Sequence, residues 1–337
     1  MNEARDSATR WRSSFAPEIL GESPRMIEVF QVLERISDTD CTVLLAGESG
    51  VGKELVARAL HRASGRAQGP FVPVNCSAIP RELMESEMFG HARGAFTGAA
   101  QSREGRFLAA DGGTLLLDEI GDMDASLQCK LLRAIQDRQI TPVGETRPVR
   151  TDIRIVAATH RDLEQLCADG RFREDLYYRL DVVTVVIPPL RERGDDVLLL
   201  ARRFVEEFNR RHGRRVEGLS AEAEVALSAY DWPGNVRQLE NTIERTVILK
   251  RSGMIEIGDL PERLHAERPA AGLLGTLRLP AAGVDLNQAL EECEVRLIVQ
   301  ALDRTSGNRA QAATLLHLNR TTLVEKLRKR DLLRGAA

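Results

Sequence analysis

Short runs of aliphatic and β-branched residues alternate with segments of helical spacing through the first half of this chain. Residues 41–46 (Cys-Thr-Val-Leu-Leu-Ala) read as a buried strand running into a glycine-rich loop and then a helix over 54–61. Strand, tight loop and helix in that order make one βα unit. Phe71–Asn75, 114–117 and 153–158 are further β-rich runs separated by helical stretches, a pattern that builds a parallel, doubly wound α/β sheet. From 195 to about 264 the spacing is helical throughout, which predicts a separate helical lid. Pro, Gly and Ala interrupt 267–283 and predict a linker.

Beyond the linker, Leu286, Leu290, Cys293 and Leu297 fall at 4-3-4 spacing, an amphipathic helix that either pairs with a copy of itself or packs on its own domain. A small-residue helix over 309–316, capped by Gly307-Asn308, a turn at His317-Leu318-Asn319 and a second helix from Arg320 to Lys329 close the chain as a helix-turn-helix. The first 17 residues are charged and serine-rich and read as a disordered tag. The expected boundaries are 1–17 tag, 18–190 α/β nucleotide-binding subdomain, 191–265 helical lid, 266–283 linker and 284–337 helix-turn-helix domain.

At 337 residues with 43% apolar content the chain is long enough for two or three globular domains. From 309 onward seven basic residues stand against Glu325 and Asp331, a net of +5; since the whole chain carries −3, the remainder carries −8. A basic tail on an acidic body points to one nucleic-acid-facing module, with a solvated helix end as the plainer alternative. Five well-separated cysteines form no C-x-x-C or Cys/His cluster, as expected of reduced thiols in a cytoplasmic protein. No apolar run approaches the roughly 18 residues of a membrane span, so no membrane partner is expected.

Gly47-Glu48-Ser49-Gly50-Val51-Gly52-Lys53-Glu54 has phosphate-loop spacing, in which glycines let backbone N–H groups face phosphate oxygens and Lys53 neutralises them. The usual Ser/Thr after the lysine, a magnesium contact, is here Glu54. Leu115-Leu116-Leu117-Asp118-Glu119 is an apolar strand ending in two carboxylates, suited to hold Mg²⁺ (Asp118) and to activate a water (Glu119), although a pair of acids there also serves as a helix cap. Between the loop and the acids lies Gly94-Ala95-Phe96-Thr97-Gly98-Ala99, two glycines bracketing an aromatic tip.

In order, Glu85–His91, Gly94 to Ala99, Gly112-Gly113-Thr114-Leu115-Leu116-Leu117-Asp118-Glu119 and Trp232-Pro233-Gly234-Asn235-Val236-Arg237-Gln238-Leu239-Glu240-Asn241 closely resemble the sigma-54-dependent, NtrC-type transcription activators, over roughly 19–333. The resemblance implies an AAA+ ATPase using ATP and Mg²⁺, and in that family Glu is common at position 54. It implies that Asn75 holds Glu119 away from water until the partner is engaged, that Thr159 and His160 form the sensor I segment, and that Arg237 reads the nucleotide of its own subunit. Arg173 and Arg179 become fingers inserted into a neighbour's site, hence a homo-oligomer from dimer to hexameric ring. Gly94 to Ala99 contact the sigma-54 RNA polymerase holoenzyme.

The C-terminal module is similar to the Fis type, with Arg309, Asn319, Arg320, Thr321, Thr322, Lys326, Arg328 and Lys329 facing double-stranded DNA at upstream activator sites. With no receiver ahead of residue 19, control is expected from a regulatory partner protein, from expression level or from a ligand. Some wording resembles the flagellar-regulator branch, whose members bind cyclic di-GMP; Arg12 and Arg58 are the candidate contacts. The alternative function is a nucleotide-sensing DNA-binding regulator that no longer activates with sigma-54.

Overall fold

The computed structural model describes residues 2–96, 99–265, 294, 297–299, 301, 302, 305 and 308–329. The chain divides into two compact units, Met1–Arg268 and Pro269–Ala337.

In the first unit five strands, β1 (Val43–Ala46), β2 (Phe71–Asn75), β3 (Thr114–Asp118), β4 (Arg154–Thr159) and β5 (Val183–Val186), form one sheet in the order β2-β3-β4-β1-β5, every neighbouring pair parallel. Alternate residues feed opposite faces. Leu44, Leu115, Leu117, Ile155 and Ala157 enter one apolar core, and Val43, Leu45, Leu116, Val156, Ala158 and Val185 the other. Burial on both faces is why these strands read as continuous apolar runs rather than alternating ones. The carboxyl ends of β1, β3 and β4 lie side by side, which is where an open α/β sheet collects its functional residues.

The disordered tag is a correction. Residues Asn2–Phe15 form a helix that carries Trp11 and Ala8 into the second core beside Met26, Val29, Phe30 and Leu33 of the helix Pro24–Ile36. Ser7 Oγ donates to Glu34 at 2.5 Å, and the Trp11 and Phe15 rings lie 5.8 Å apart. One stripe of Ala8, Trp11 and Phe15 at helical spacing is enough to dock a mostly polar helix.

The lid after Leu190 is built on the helices Asp196–His212, Ala221–Ala229 and Asn235–Lys250 around a third core holding Phe208, Leu239, Ile243 and the fully buried Trp232. It is not helical throughout: Arg215–Leu219 and Ser252–Ile255, on either side of the last two helices in sequence, pair as a two-stranded parallel ribbon. Asp196, 2% exposed, ties the lid to the chain's start by accepting hydrogen bonds from Glu22 N (2.7 Å), Ser23 N (3.1 Å) and Ser23 Oγ (2.7 Å).

In the second unit the helices Arg309–Leu315 and Arg320–Lys329 share a small core of Ile298, Ala301, Ala312, Ala313, Leu323 and Leu327. Asn308 caps the first through Oδ1, which accepts from Ala310 N (3.1 Å) and Gln311 N (3.3 Å). The turn passes through His317 with φ +51°, the left-handed conformation that glycine adopts without cost. The linker and Leu286, Leu290 and Cys293 lie outside the described residues.

Candidate functional site

The loop between β1 and the helix Lys53–Arg62 supplies the centre of the site. Gly50 and Gly52 adopt φ +79° and +100°, which bend the chain so that its N–H groups line a cradle at the helix start. Lys53, 7% exposed, donates from Nζ to Gly47 O (2.8 Å) and Glu48 O (3.2 Å) and stands 3.8 Å from Glu119 Oε1. Burial depresses its pKa, and the charges of Glu119 and Asp118 oppose that. Glu54, in the usual hydroxyl position, turns along the helix to Arg58 at 2.7 Å.

Asp118 ends β3 beside Asn75 of β2, and burial, then the neighbouring Glu119, push its carboxyl above the ordinary range. Glu119 adopts φ +55° and turns its carboxylate toward the end of β4. There Oε2 lies 2.6 Å from His160 Nδ1 and accepts from His160 N at 3.3 Å. The residue that meets Glu119 is therefore His160. Asn75 instead spends Oδ1 on Ser77 N (2.9 Å), Ser77 Oγ (2.7 Å) and Ala78 N (3.1 Å), closing its own turn. Thr159 is buried, and its hydroxyl accepts from Arg161 N at 2.9 Å. Among the described residues no cluster of three or more ligating side chains exists. One or two carboxylates beside a phosphate cradle suit a hard cation that draws its other ligands from phosphate oxygens and water, so the residues fit Mg²⁺ held with a nucleotide.

The loop is also gripped by the lid. Arg191 forks onto Glu48 (2.9 and 2.5 Å), and Asn235 Nδ2 donates to Glu48 Oε2 (3.0 Å) and Ser49 O (3.0 Å) while its Oδ1 accepts from Leu190 N (2.8 Å). Arg237 N donates to Gly50 O (3.3 Å) and Arg193 Nη2 to Val51 O (3.1 Å). Asn235 is wholly buried in a left-handed conformation, and a β-carbon on Gly50 would strike the Gly234 carbonyl. The sequence reading assigned a role in this segment to Arg237 and missed Asn235 and Arg191; the Trp-Pro-Gly-Asn run ahead of the helix was the available signal.

Arg173 and Arg179 sit at the two ends of the helix Glu174–Leu180, both exposed. Arg173 pairs with Asp175 (3.0 and 2.7 Å) and reaches Cys129 Sγ (3.3 Å), while Gln128 Oε1 accepts from its backbone N–H (2.8 Å). Among the described residues neither arginine bonds to the phosphate loop or to the Asp118–Glu119 pair. In the glycine-bracketed segment, Gly94 (φ +81°) donates its N–H to Ala99 O at 2.8 Å, and Phe96 stays 40% exposed against the His91 ring, centroids 5.0 Å apart. Thr97 and Gly98 lie outside the described residues. Arg58 lies over the Phe71 ring at 4.7 Å as well as pairing with Glu54, and Arg12 is half-buried on the N-terminal helix.

The family described as the sigma-54 interaction domain matches residues 19–186, the AAA+ ATPase lid domain 191–274, and the bacterial regulatory protein, Fis family, 289–329. The transcriptional regulatory protein ZraR of Klebsiella oxytoca is 47% identical over 310 residues, 92% of this chain and 68% of that protein. The chain belongs to the sigma-54-dependent transcription activators. The DNA-binding transcriptional regulator NtrC of Azospirillum brasilense is 46% identical over 336 residues, covering 93% and 69%. The crystal structure of NtrX from Brucella abortus in complex with ATP is 35% identical, with a TM-score of 0.67 over 93% of this chain and 69% of that one.

As a sigma-54-dependent activator, the protein is an AAA+ ATPase joined to a Fis-type DNA-binding helix-turn-helix. In that module Arg309, Asn319 and Thr321 are exposed, whereas Lys326 pairs with Glu294. Arg320, Arg328 and Lys329 fall within the second helix. No helix among the described residues is long and apolar enough to cross a membrane.

Proposed function

We propose that copies of this chain assemble into a ring, up to a hexamer, anchor on DNA upstream of a promoter and spend ATP hydrolysis on opening the sigma-54 polymerase complex in the cytoplasm. The observation that carries the reading is the meeting of Lys53, at the end of the loop that leaves β1, with Asp118, Glu119 and His160 at the ends of the adjacent parallel strands β3 and β4. Backbone N–H groups of Gly47 to Glu54 and the Lys53 ammonium bind the phosphates. Asp118 would hold Mg²⁺ together with the phosphates, and the ion would there supply charge neutralisation for the transferred group. Glu119 takes the proton of the attacking water, and its present contact with His160 holds the carboxylate until the sensor segment of Thr159 and His160 shifts. Asn75, one strand over, keeps a supporting place through the turn it closes.

Arg237 faces the nucleotide of its own subunit, and Arg173 and Arg179, having no bond to their own phosphate loop among the described residues, serve a neighbour's. The exposed Phe96 is the tip of the Gly94 to Ala99 loop that engages sigma-54. Arg309, Asn319, Arg320, Thr321 and Thr322 meet bases and phosphates, with Lys326, Arg328 and Lys329 on the backbone. A regulatory partner protein is the proposed control; the pairing of Arg58 with Glu54 gives no support to cyclic di-GMP. Lys53→Ala tests the reading: ATP should then no longer raise the melting temperature, and hydrolysis should vanish. Retention of either would refute it.

A further inference from the structure

Four consecutive residues of the phosphate loop are each bonded to the lid. Glu48 is held by Arg191 and Asn235, Ser49 O by Asn235, Gly50 O by the Arg237 N–H, and Val51 O by Arg193. The lid side of these contacts comes from two places, the turn at Leu190–Glu192 with Arg193 and the start of the helix Asn235–Lys250, and Asn235 joins them by accepting from Leu190 N. From Glu48 to Val51 every residue of the loop is thus bonded to the lid.

We propose that Glu48 is a positioning residue which, through Arg191 and Asn235, makes the conformation of the phosphate loop follow the lid. The side chain does not touch the phosphates; its backbone does, and the carboxylate fixes that backbone. Arg191 first and Asn235 second hold the Glu48 carboxyl at about 2, so the anion is present throughout the physiological range. An exposed ion pair by itself contributes little. Here the pair is bidentate and is joined to the buried amide of Asn235, whose left-handed backbone is retained at the point of contact. When the lid swings, it either carries residues 48–51 with it or breaks these contacts, so the grip on phosphates and the lid position are linked in both directions.

The clamp rests on the reading of Gly47 to Glu54 as the phosphate loop, and the test separates the two. Steady-state ATP hydrolysis by the full chain is measured for Glu48→Ala, Arg191→Ala, the double variant and Arg191→Lys, with melting temperatures in the absence of nucleotide. Glu48 and Arg191 are both half-exposed, so these variants are expected to fold, which the melting temperatures check. Each alanine should raise KM for ATP by about fivefold to tenfold, and the double variant should be no worse than the worse single one, because both remove the same contact. Arg191→Lys, which keeps the charge and loses the fork, should fall between wild type and Arg191→Ala. A purely structural pair would lower the melting temperature and leave KM alone; that result, or penalties that multiply in the double variant, overturns the clamp. Lys53→Ala is run alongside. If it still binds ATP, the loop reading fails and takes the clamp with it; if it does not bind while the Glu48 and Arg191 variants keep wild-type KM, the clamp alone fails.

Discussion

Replacing Asp196 with alanine removes a single acceptor that serves three donors. Glu22 N at 2.7 Å, Ser23 N at 3.1 Å and Ser23 Oγ at 2.7 Å all lose their partner, and with it goes the link between the lid and the segment preceding the helix Pro24–Ile36. A hydrogen bond to a charged group contributes about 1.5–3 kcal/mol, but these three share one carboxylate and are not additive. Glu22 is exposed and Ser23 half-buried, so water recovers part of the loss. The net cost for Asp196→Ala is about 3 kcal/mol, and for Asp196→Asn, which keeps an acceptor toward the two backbone donors, about 1 kcal/mol. At roughly 2–4 °C per kcal/mol for a unit of this size, thermal unfolding followed by circular dichroism should show a drop of about 6–12 °C for alanine and about 2–4 °C for asparagine. Equal shifts for the two variants, or a loss below about 2 °C for alanine, would refute the claim that this carboxylate fastens the lid.

Glu119→Gln should keep the ATP-induced rise in melting temperature while kcat falls by about 10²–10⁴-fold, since the amide retains the shape and loses the base; single-turnover hydrolysis reads this directly. Burial pushes the Cys76 thiol up to about 12, so iodoacetamide at about pH 8 should label the half-exposed Cys129 and spare Cys76 until the chain is unfolded, as peptide mapping would report. The Glu48 carboxyl is held at about 2 in the folded chain against an ordinary 4.5, so its contribution to the lid contact is complete above about pH 4.5 and fades as pH falls toward about 2. The Glu48→Gln variant should accordingly show a shallower acid-unfolding profile over that interval than wild type.

Much of this was written in local patterns. The strand, glycine loop and helix of 43–62 declare themselves because the glycines must adopt positive φ where only glycine does so freely, and the two acids after Leu117 mark the strand end. The turn at His317 and the cap at Asn308 were readable for the same reason, since turn chemistry is a property of a few adjacent residues. What was not readable depends on distant partners. The N-terminal helix is too polar to announce itself, and it exists because Trp11 and Ala8 find an apolar surface on another helix. The lid ribbon pairs Arg215–Leu219 with Ser252–Ile255, segments whose match only the fold reveals. Strand β5 was not among the strands expected, although the β-branched run over 182–187 carried its signal. In the site, Asp118, Glu119 and His160 lie at the strand ends where the local pattern and the resemblance put them, but neither could say that His160, rather than Asn75, meets the Glu119 carboxylate, because that depends on Glu119 turning to φ +55°.

The most direct test of the central claim is single-round transcription from a sigma-54 promoter, comparing wild type with Thr97→Ala while ATP hydrolysis is recorded in the same reactions. Both proteins should hydrolyse ATP, and only wild type should yield transcripts. Full transcription by Thr97→Ala would contradict the assignment of Gly94 to Ala99 as the sigma-54 contact, and transcription by wild type without hydrolysis would contradict the motor itself.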